Sequence, residues 1–399
     1  MFPRFVAFFF AVTLSAFGEP LDRILAVENL WSLKQDAFQA TTQGLPFRWT
    51  STARDSARAA DPKLTLFELP VYEFIARFEG EQLKQLTAAF YARGDAGEIS
   101  KENFDALVKR AVEALSKFTG TKFIPRGKDA TNAVRADGVL WQGPSAQYLL
   151  EYSFTKEVKS RGIPFRAEFV RLEITPQERK PTLLSTLSRS KFSGPLHLKK
   201  DATSGDTWLF DIPMVDQGRK GYCVVASTER VMRYFGNAVD SNELAQIANS
   251  DAEAGTNFEN MYNALKKISS RFKVRVRALE QQDVKGILDM VKDYNRAAKK
   301  MHEPELPDPG MNIDVPSLFR AMKVNVLKEA RTKNPGELNK FQRTVQTHID
   351  QGIPLLWCVQ LGIVPEPGIP QNAGGHMRLI IGYNSTKGEI LYSDSWGAG

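Results

Sequence analysis

From Val71 to Phe78 apolar residues alternate with polar ones. Tyr72, Phe74, Ala76 and Phe78 share one face, with Glu73 and Arg77 on the other. A period of two predicts a half-buried strand. Leu83–Tyr91, after the turn at Gly80, predicts a second. From Ser100 the period lengthens: Phe104, Leu107, Val108, Ala111, Leu115 and Phe118 recur every three or four residues. That predicts an amphipathic helix capped by Ser100 and ended by Gly120. Ala146–Phe154 and Arg166–Ile174 return to strand. The order strand–strand–helix–strand–strand predicts a small α+β domain over residues 19–175, in which no chemistry is visible. Arg93–Ser100 (RGDAGEIS) has the texture of a calcium loop. With Gly97 at the sixth loop position, however, Ala92, Gly94 and Ala96 fill positions one, three and five. None offers a side-chain oxygen, so a surface turn is expected instead.

Two segments break the pattern. Residues 1–18 (MFPRFVAFFFAVTLSAFG) place one cation, Arg4, before an uncharged stretch from Phe5 to Phe17, with small residues at Ala16 and Gly18. This is the layout of a secretory signal peptide and is too short to span a bilayer, which needs roughly 20 residues. Residues 176–206 form a cationic, Pro- and Ser-containing stretch without a long core pattern, a basic linker open to proteases.

Residues 207–399 read as helices first and strands last. Helices are predicted at Cys223–Phe235, Ser241–Ser250, Asn257–Ile268, Val284–Lys300, Val315–Lys323 and Gly336–Gln351. Strands are predicted at Phe272–Leu279, Pro354–Leu361, Met377–Tyr383 and Glu389–Tyr392. This is again an α+β arrangement, with two segregated lobes.

Composition narrows the function. The chain has 399 residues, 42% apolar and 25% charged, which is ordinary globular usage. Its net charge of +7 arises from 53 cations against 46 anions. No dense basic block points to nucleic acid. Two cysteines exclude a disulfide framework, and four histidines without paired spacing argue against a dedicated metal enzyme. No metal or other cofactor is expected, and no stable membrane insertion after signal cleavage.

The chemistry concentrates in three short stretches. In Asp216–Ser227 (DQGRKGYCVVAS) Cys223 stands where a Gly-containing loop becomes a helix. The positive end of a helix and its exposed N–H groups stabilise a thiolate. The Gln217 amide, six residues earlier, can loop back to join the Cys223 backbone N–H at an oxyanion. In Gly374–Tyr383 (GGHMRLIIGY) His376 opens an apolar strand. A turn at Asn384–Gly388 then brings Asp394, in YSDSWG, beside it, able to accept one imidazole N–H and fix the ring. Trp396 is placed to cover that bond. Cys358, in an apolar run, is expected to be a buried strand residue. His197, His302 and His348 are expected on the surface.

Gln217-x5-Cys223, Gly-His376 before an apolar strand and Asp394-Ser-Trp-Gly together resemble papain-like cysteine peptidases. QGRKGYCVVAS is similar to papain's QGSCGSCWAFS at the Gln, the two Gly, the Cys and the final Ser. Asp394, where papain has Asn, resembles the bacterial branch related to bacteriocin-leader (double-glycine) peptidases, here in a stand-alone exported form. The resemblance covers about residues 208–399. It implies a helical lobe plus an antiparallel sheet or barrel lobe, preceded by the small α+β domain. It also implies Cys223 as nucleophile, His376 as general base and acid, Asp394 as orienting carboxylate and Gln217 as oxyanion donor, acting on a peptide or protein substrate through a thioester. Lys220 replaces the papain cysteine of that loop, so no disulfide is expected there. Lys285–Lys340 is longer than a minimal bacterial member needs. Papain-like domains continue past the SWG with a further strand, so the resemblance implies a barrel cut short at Gly399. A papain-like acyltransferase or amidase would use the same residues. A catalytically silent peptide- or cell-wall-binding module is the third reading, and four intact site residues weigh against it.

Overall fold

The computed structural model describes residues 19–126, 134–177, 197–218, 221–237, 239–250, 255–281, 283–310, 313–332, 335–366 and 374–396. The signal peptide expected at 1–18 and most of the expected linker, 178–196, lie outside the described residues.

The chain is α+β with antiparallel sheets. A short three-stranded sheet comprises β1 (Glu19–Pro20), β4 (Leu64–Leu66) and β5 (Leu69–Pro70), near α1 (Asp22–Leu25) and α2 (Gln35–Thr41). The main N-terminal sheet has eight strands: β2 (Phe47–Trp49), β3 (Ser56–Ala59), β6 (Glu73–Glu79), β7 (Gln82–Ala92), β8 (Ile124–Arg126), β9 (Asp137–Gln142), β10 (Ala146–Thr155) and β11 (Arg166–Pro176). Their order is β2-β3-β6-β7-β11-β10-β9-β8. The four strands expected from alternation are its centre. The outer strands are short, three to six residues each, too few for a period to register. The β6–β7 hairpin turns on Gly80 and Glu81, both with positive φ, as a two-residue turn matching strand twist requires.

The α3 turn (Arg93–Ala96) leads into α4 (Lys101–Thr119). There the Ser100 hydroxyl accepts from Asn103 N–H at 3.2 Å, and Gly120 ends the helix at φ +64°. Phe104, Ala111 and Leu115 are buried against the sheet. Arg93–Ala96 is not wholly the surface turn expected: Arg93 is buried and pairs with Glu168 of β11 at 3.1 Å, and Gly94 abuts Tyr222 of the C-terminal lobe, while Asp95 is exposed.

That lobe contains α5 (Cys223–Tyr234), α6 (Ser241–Ile247), α7 (Phe258–Phe272), α8 (Val284–Met301), α9 (Val315–Ala321), α10 (Val324–Thr332) and α11 (Pro335–Asp350). Its sheet contains β12 (Leu198–Lys200), β13 (Asp206–Leu209), β14 (Leu355–Leu361), β15 (Gly374–Asn384) and β16 (Glu389–Ser393), with β15 pairing β13, β14 and β16. Leu198–Lys200, read from sequence as linker, therefore belongs to this sheet through β13. Its Lys-rich edge hid one inward residue, Leu198, which packs beside Leu209.

Phe272–Leu279 is not a strand. The helix runs on to Phe272, Lys273 closes it in the left-handed region, and Val274 and Val276 pack on the core without a ladder partner. The expected helix Val315–Lys323 is α9, and a further helix that was not expected, α10, follows it. With α8 they bury Tyr294, Ala297, Leu318 and Val326 in a core of their own. This small helical unit accounts for the extra length at Lys285–Lys340.

The two halves meet over α5 and α6. Phe169 of β11, fully buried, packs with Val225, Leu244 and Met377. Arg171, also buried, pairs with Asp240 at 2.6 Å and with Glu151 and Glu243 at 2.8 Å each. Such a cation is tolerable inside because three carboxylates surround it, with Nε and Nη2 donating to Glu151 and Glu243, although Nη1, close to Asp240, makes no hydrogen bond.

Candidate active site

Cys223 is the first residue of α5. The N-cap, Tyr222, offers no side-chain acceptor, so backbone N–H groups of the first turn face the thiol end of the helix. The helix is anchored firmly, with Val224 to Arg230 all buried. Opposite it, Gly374 and Gly375 open β15 with nothing within 4 Å of a would-be Cβ, leaving space on the approach to His376.

His376 is 5% exposed. Its Nε2 lies 2.9 and 3.0 Å from the two Asp394 carboxylate oxygens, which leaves Nδ1 for another partner, and the Cys223 side chain is near enough to the ring to raise its pKa. Asp394 follows β16, next to β15, so the hairpin closed at Asn384–Glu389 brings together residues 18 apart. Trp396 stacks on the imidazole with centroids 4.0 Å apart and planes 2° from parallel. A flat apolar lid of this kind keeps water from the carboxylate–imidazole bond.

Gln217 reaches the same place from the loop before α5. Its backbone N–H donates to Ser395 O at 2.8 Å, and its side-chain oxygen accepts from Ser395 Oγ at 2.6 Å. With the oxygen committed, donation falls to the amide nitrogen. The structure thus brings together all four residues singled out in the sequence.

The electrostatics favour a charged pair. Burial opposes the imidazolium of His376, but its hydrogen bond to Asp394, the nearby Cys223 side chain and the charges of both outweigh it and raise its pKa. Burial alone would raise Asp394. Its contacts with His376, the Ser395 N–H (2.7 Å) and Arg378 lower it instead.

Two arginines were missed by sequence reasoning. Arg378, 3% exposed, donates through Nε to Asp394 at 2.9 Å and through both Nη atoms to Glu366 at 3.0 and 2.7 Å. The Tyr392 ring covers it, and the Tyr392 hydroxyl also donates to Glu366. Arg230, two turns along α5, donates to Pro213 O, Asp394 O and Ser393 Oγ. Burial pushes it down to about 10, leaving it charged at neutral pH. The available signal was a cation inside an otherwise apolar period, in HMRLII and in ERVMRY.

Cys358 departs from expectation. It lies on β14 but is exposed, opposite Met377 in the register beside His376. Partial desolvation and the charge of nearby Cys223 push its thiol up to about 11. His348 bonds its own helix, and His302 closes α8 in the left-handed region. Among the described residues no group of His, Cys, Asp and Glu could hold a metal ion, and no helix is long and apolar enough to cross a membrane.

Residues 308–399 match the model of the Peptidase_C39 like family. The C-terminal part of the chain is therefore related to the papain-like and C39 cysteine peptidases. The match spans His376 and Asp394 and leaves Gln217 and Cys223 outside it. No curated protein and no solved structure matches the chain.

Proposed function

We propose that the protein is an exported thiol peptidase whose residues 207–399 form a papain-like catalytic domain. The observation that carries this is the single imidazole held between the Cys223 thiol and the Asp394 carboxylate at a helix N-terminus. His376 takes the thiol proton through Nδ1 while Asp394 fixes Nε2–H. The thiolate adds to a peptide carbonyl carbon. Gln217 and the Cys223 backbone N–H receive the oxyanion. His376 returns the proton to the departing amine, leaving a thioester. Water, deprotonated by the same imidazole, then releases the acid and restores the thiol. Export rests on the signal-peptide layout of residues 1–18.

The test is cleavage of a diverse peptide pool by the full-length protein and by Cys223→Ser, with new termini read by mass spectrometry. The proposal expects cleavage lost in the variant and a thioester mass on Cys223 after rapid acid quench. Cleavage that survives in Cys223→Ser would overturn it.

A further inference from the structure

The loop that carries Gln217 is shaped by the other half of the molecule. Asp216 Oδ1 accepts the Gly218 N–H at 2.8 Å, closing a tight turn around Gln217. Gly218 has φ +67°, which an L side chain rarely adopts. Arg58 of β3 sits on this turn. Its guanidinium lies 3.6 Å from Asp216 Oδ2, and a Cβ on Gly218 would fall 2.7 Å from its Nη2. Arg58 is itself fixed by an ion pair with Glu73 of β6, both side chains being about 15% exposed. The other end of the loop is met in the same way. Gly94 of α3 abuts Tyr222, the residue before Cys223, so closely that a Cβ there would lie 1.9 Å from the phenol oxygen. Tyr222 is 3% exposed. A domain that only linked or targeted the peptidase would need neither contact. One that blocked the cleft would press on the open side, where Gly374 and Gly375 lie.

We infer that the N-terminal domain is a working part of the active site: Arg58, as a positioning residue, sets the Asp216–Gly218 turn and so aims Gln217 at the oxyanion, while Gly94 seats Tyr222 ahead of the nucleophile. This rests on the thiol-peptidase reading above. Its consequence is opposite to that of an inhibitory pro-region. Loosening the domain contact lowers acyl transfer instead of releasing it.

The experiment uses the full-length chain with Arg58→Met, Arg58→Lys, Gln217→Ala and the double variant Arg58→Met/Gln217→Ala. The probe is a peptidyl aldehyde. The Cys223 sulfur bonds to its carbonyl carbon, the C=O π bond breaks and its electron pair goes to oxygen as an oxyanion, while the thiol proton stays on His376. That adduct needs the oxyanion donors but no turnover. Iodoacetamide serves as control, because sulfur displaces iodide at a saturated carbon and no oxyanion forms.

Arg58→Met is expected to weaken aldehyde binding at least tenfold, with the iodoacetamide rate unchanged within about twofold. Lysine should restore most of the affinity. The double variant should be no weaker than Gln217→Ala alone, as for two residues acting through one donor. Where peptide cleavage is measured, kcat should fall with KM little changed. Unchanged or tighter aldehyde binding in Arg58→Met overturns the inference. So do equal losses with both reagents, which would mark a merely structural role, and full additivity in the double variant. A wild type that traps aldehyde but cleaves no peptide sinks the peptidase reading alone, and the aldehyde series still decides the role of Arg58.

Discussion

Replacing Arg378 with methionine keeps most of the side-chain volume and removes the charge between Asp394 and Glu366. Breaking a buried ion pair by deleting one partner costs about 3–5 kcal/mol. Two features reduce that here. The Glu366 side chain is 29% exposed and can rehydrate, and Asp394 keeps His376 and the Ser395 N–H. The expected loss is about 2–3 kcal/mol, read by urea unfolding at pH 7. The variant also has a pH signature. Arg378 lowers Asp394 and draws part of its negative charge away from His376. Without it the carboxylate acts on the imidazole alone, the imidazolium is favoured further, and the pKa of His376 rises beyond its already raised position. The alkaline limb of the kcat/KM profile therefore moves to higher pH, even as the rate falls because Asp394 is less firmly aimed. Glu366→Gln, which leaves the Asp394 bond intact, should cost about 1 kcal/mol and leave the limb in place. A variant as stable as wild type, or a limb that stays or moves to lower pH, would refute the assignment of Arg378 as the counter-charge of Asp394.

Three further outcomes follow from the packing and the titrations. Burial, then Glu151, pushes Glu173 up to about 6. The unfolded chain releases this proton first, so the stability that Glu173 contributes is fullest below about pH 4.5 and is lost as pH rises through 6. Glu173→Gln should remove that fall, worth at most about 2 kcal/mol at pH 8, and change nothing at pH 4.5, in paired thermal melts. Phe169→Ala should cost about 3–5 kcal/mol and give a single transition by both fluorescence and circular dichroism, since Phe169 joins the β11 sheet to the helices under Cys223. Two separate transitions would contradict a shared core. With its thiol pushed up to about 11, Cys358 should resist alkylation below about pH 9, and Cys358→Ser should leave turnover within twofold of wild type.

The placement of the candidate site was more legible than the architecture. Cys223, His376, Asp394 and Gln217 sit in short stretches that are weak signals singly and strong only together, in order and at suitable spacing. Loop-to-helix and strand-to-strand placement could be read from Gly221, the Gly374–Gly375 pair and the turn at Gly388. Elements with long periods, such as α4, β6 and β7, were legible for the same reason. What escaped depended on tertiary partners. Arg378 and Arg230 look like interruptions in apolar runs until Asp394 and Glu366 are placed beside them. Val274 and Val276 alternate like a strand, yet no neighbouring strand is available to them. Gly94 reads as part of a surface turn until Tyr222 packs on it. Leu198 and Phe47, in two- or three-residue strands, give no period at all.

The most direct test of the account is the rate of Cys223 alkylation by iodoacetamide from pH 5 to 9, in wild type and in His376→Ala, with the adduct located by mass spectrometry. The account predicts fast labelling of Cys223 that is lost in His376→Ala, with Cys358 spared. Labelling of Cys223 whose rate and pH dependence are the same in His376→Ala would contradict it.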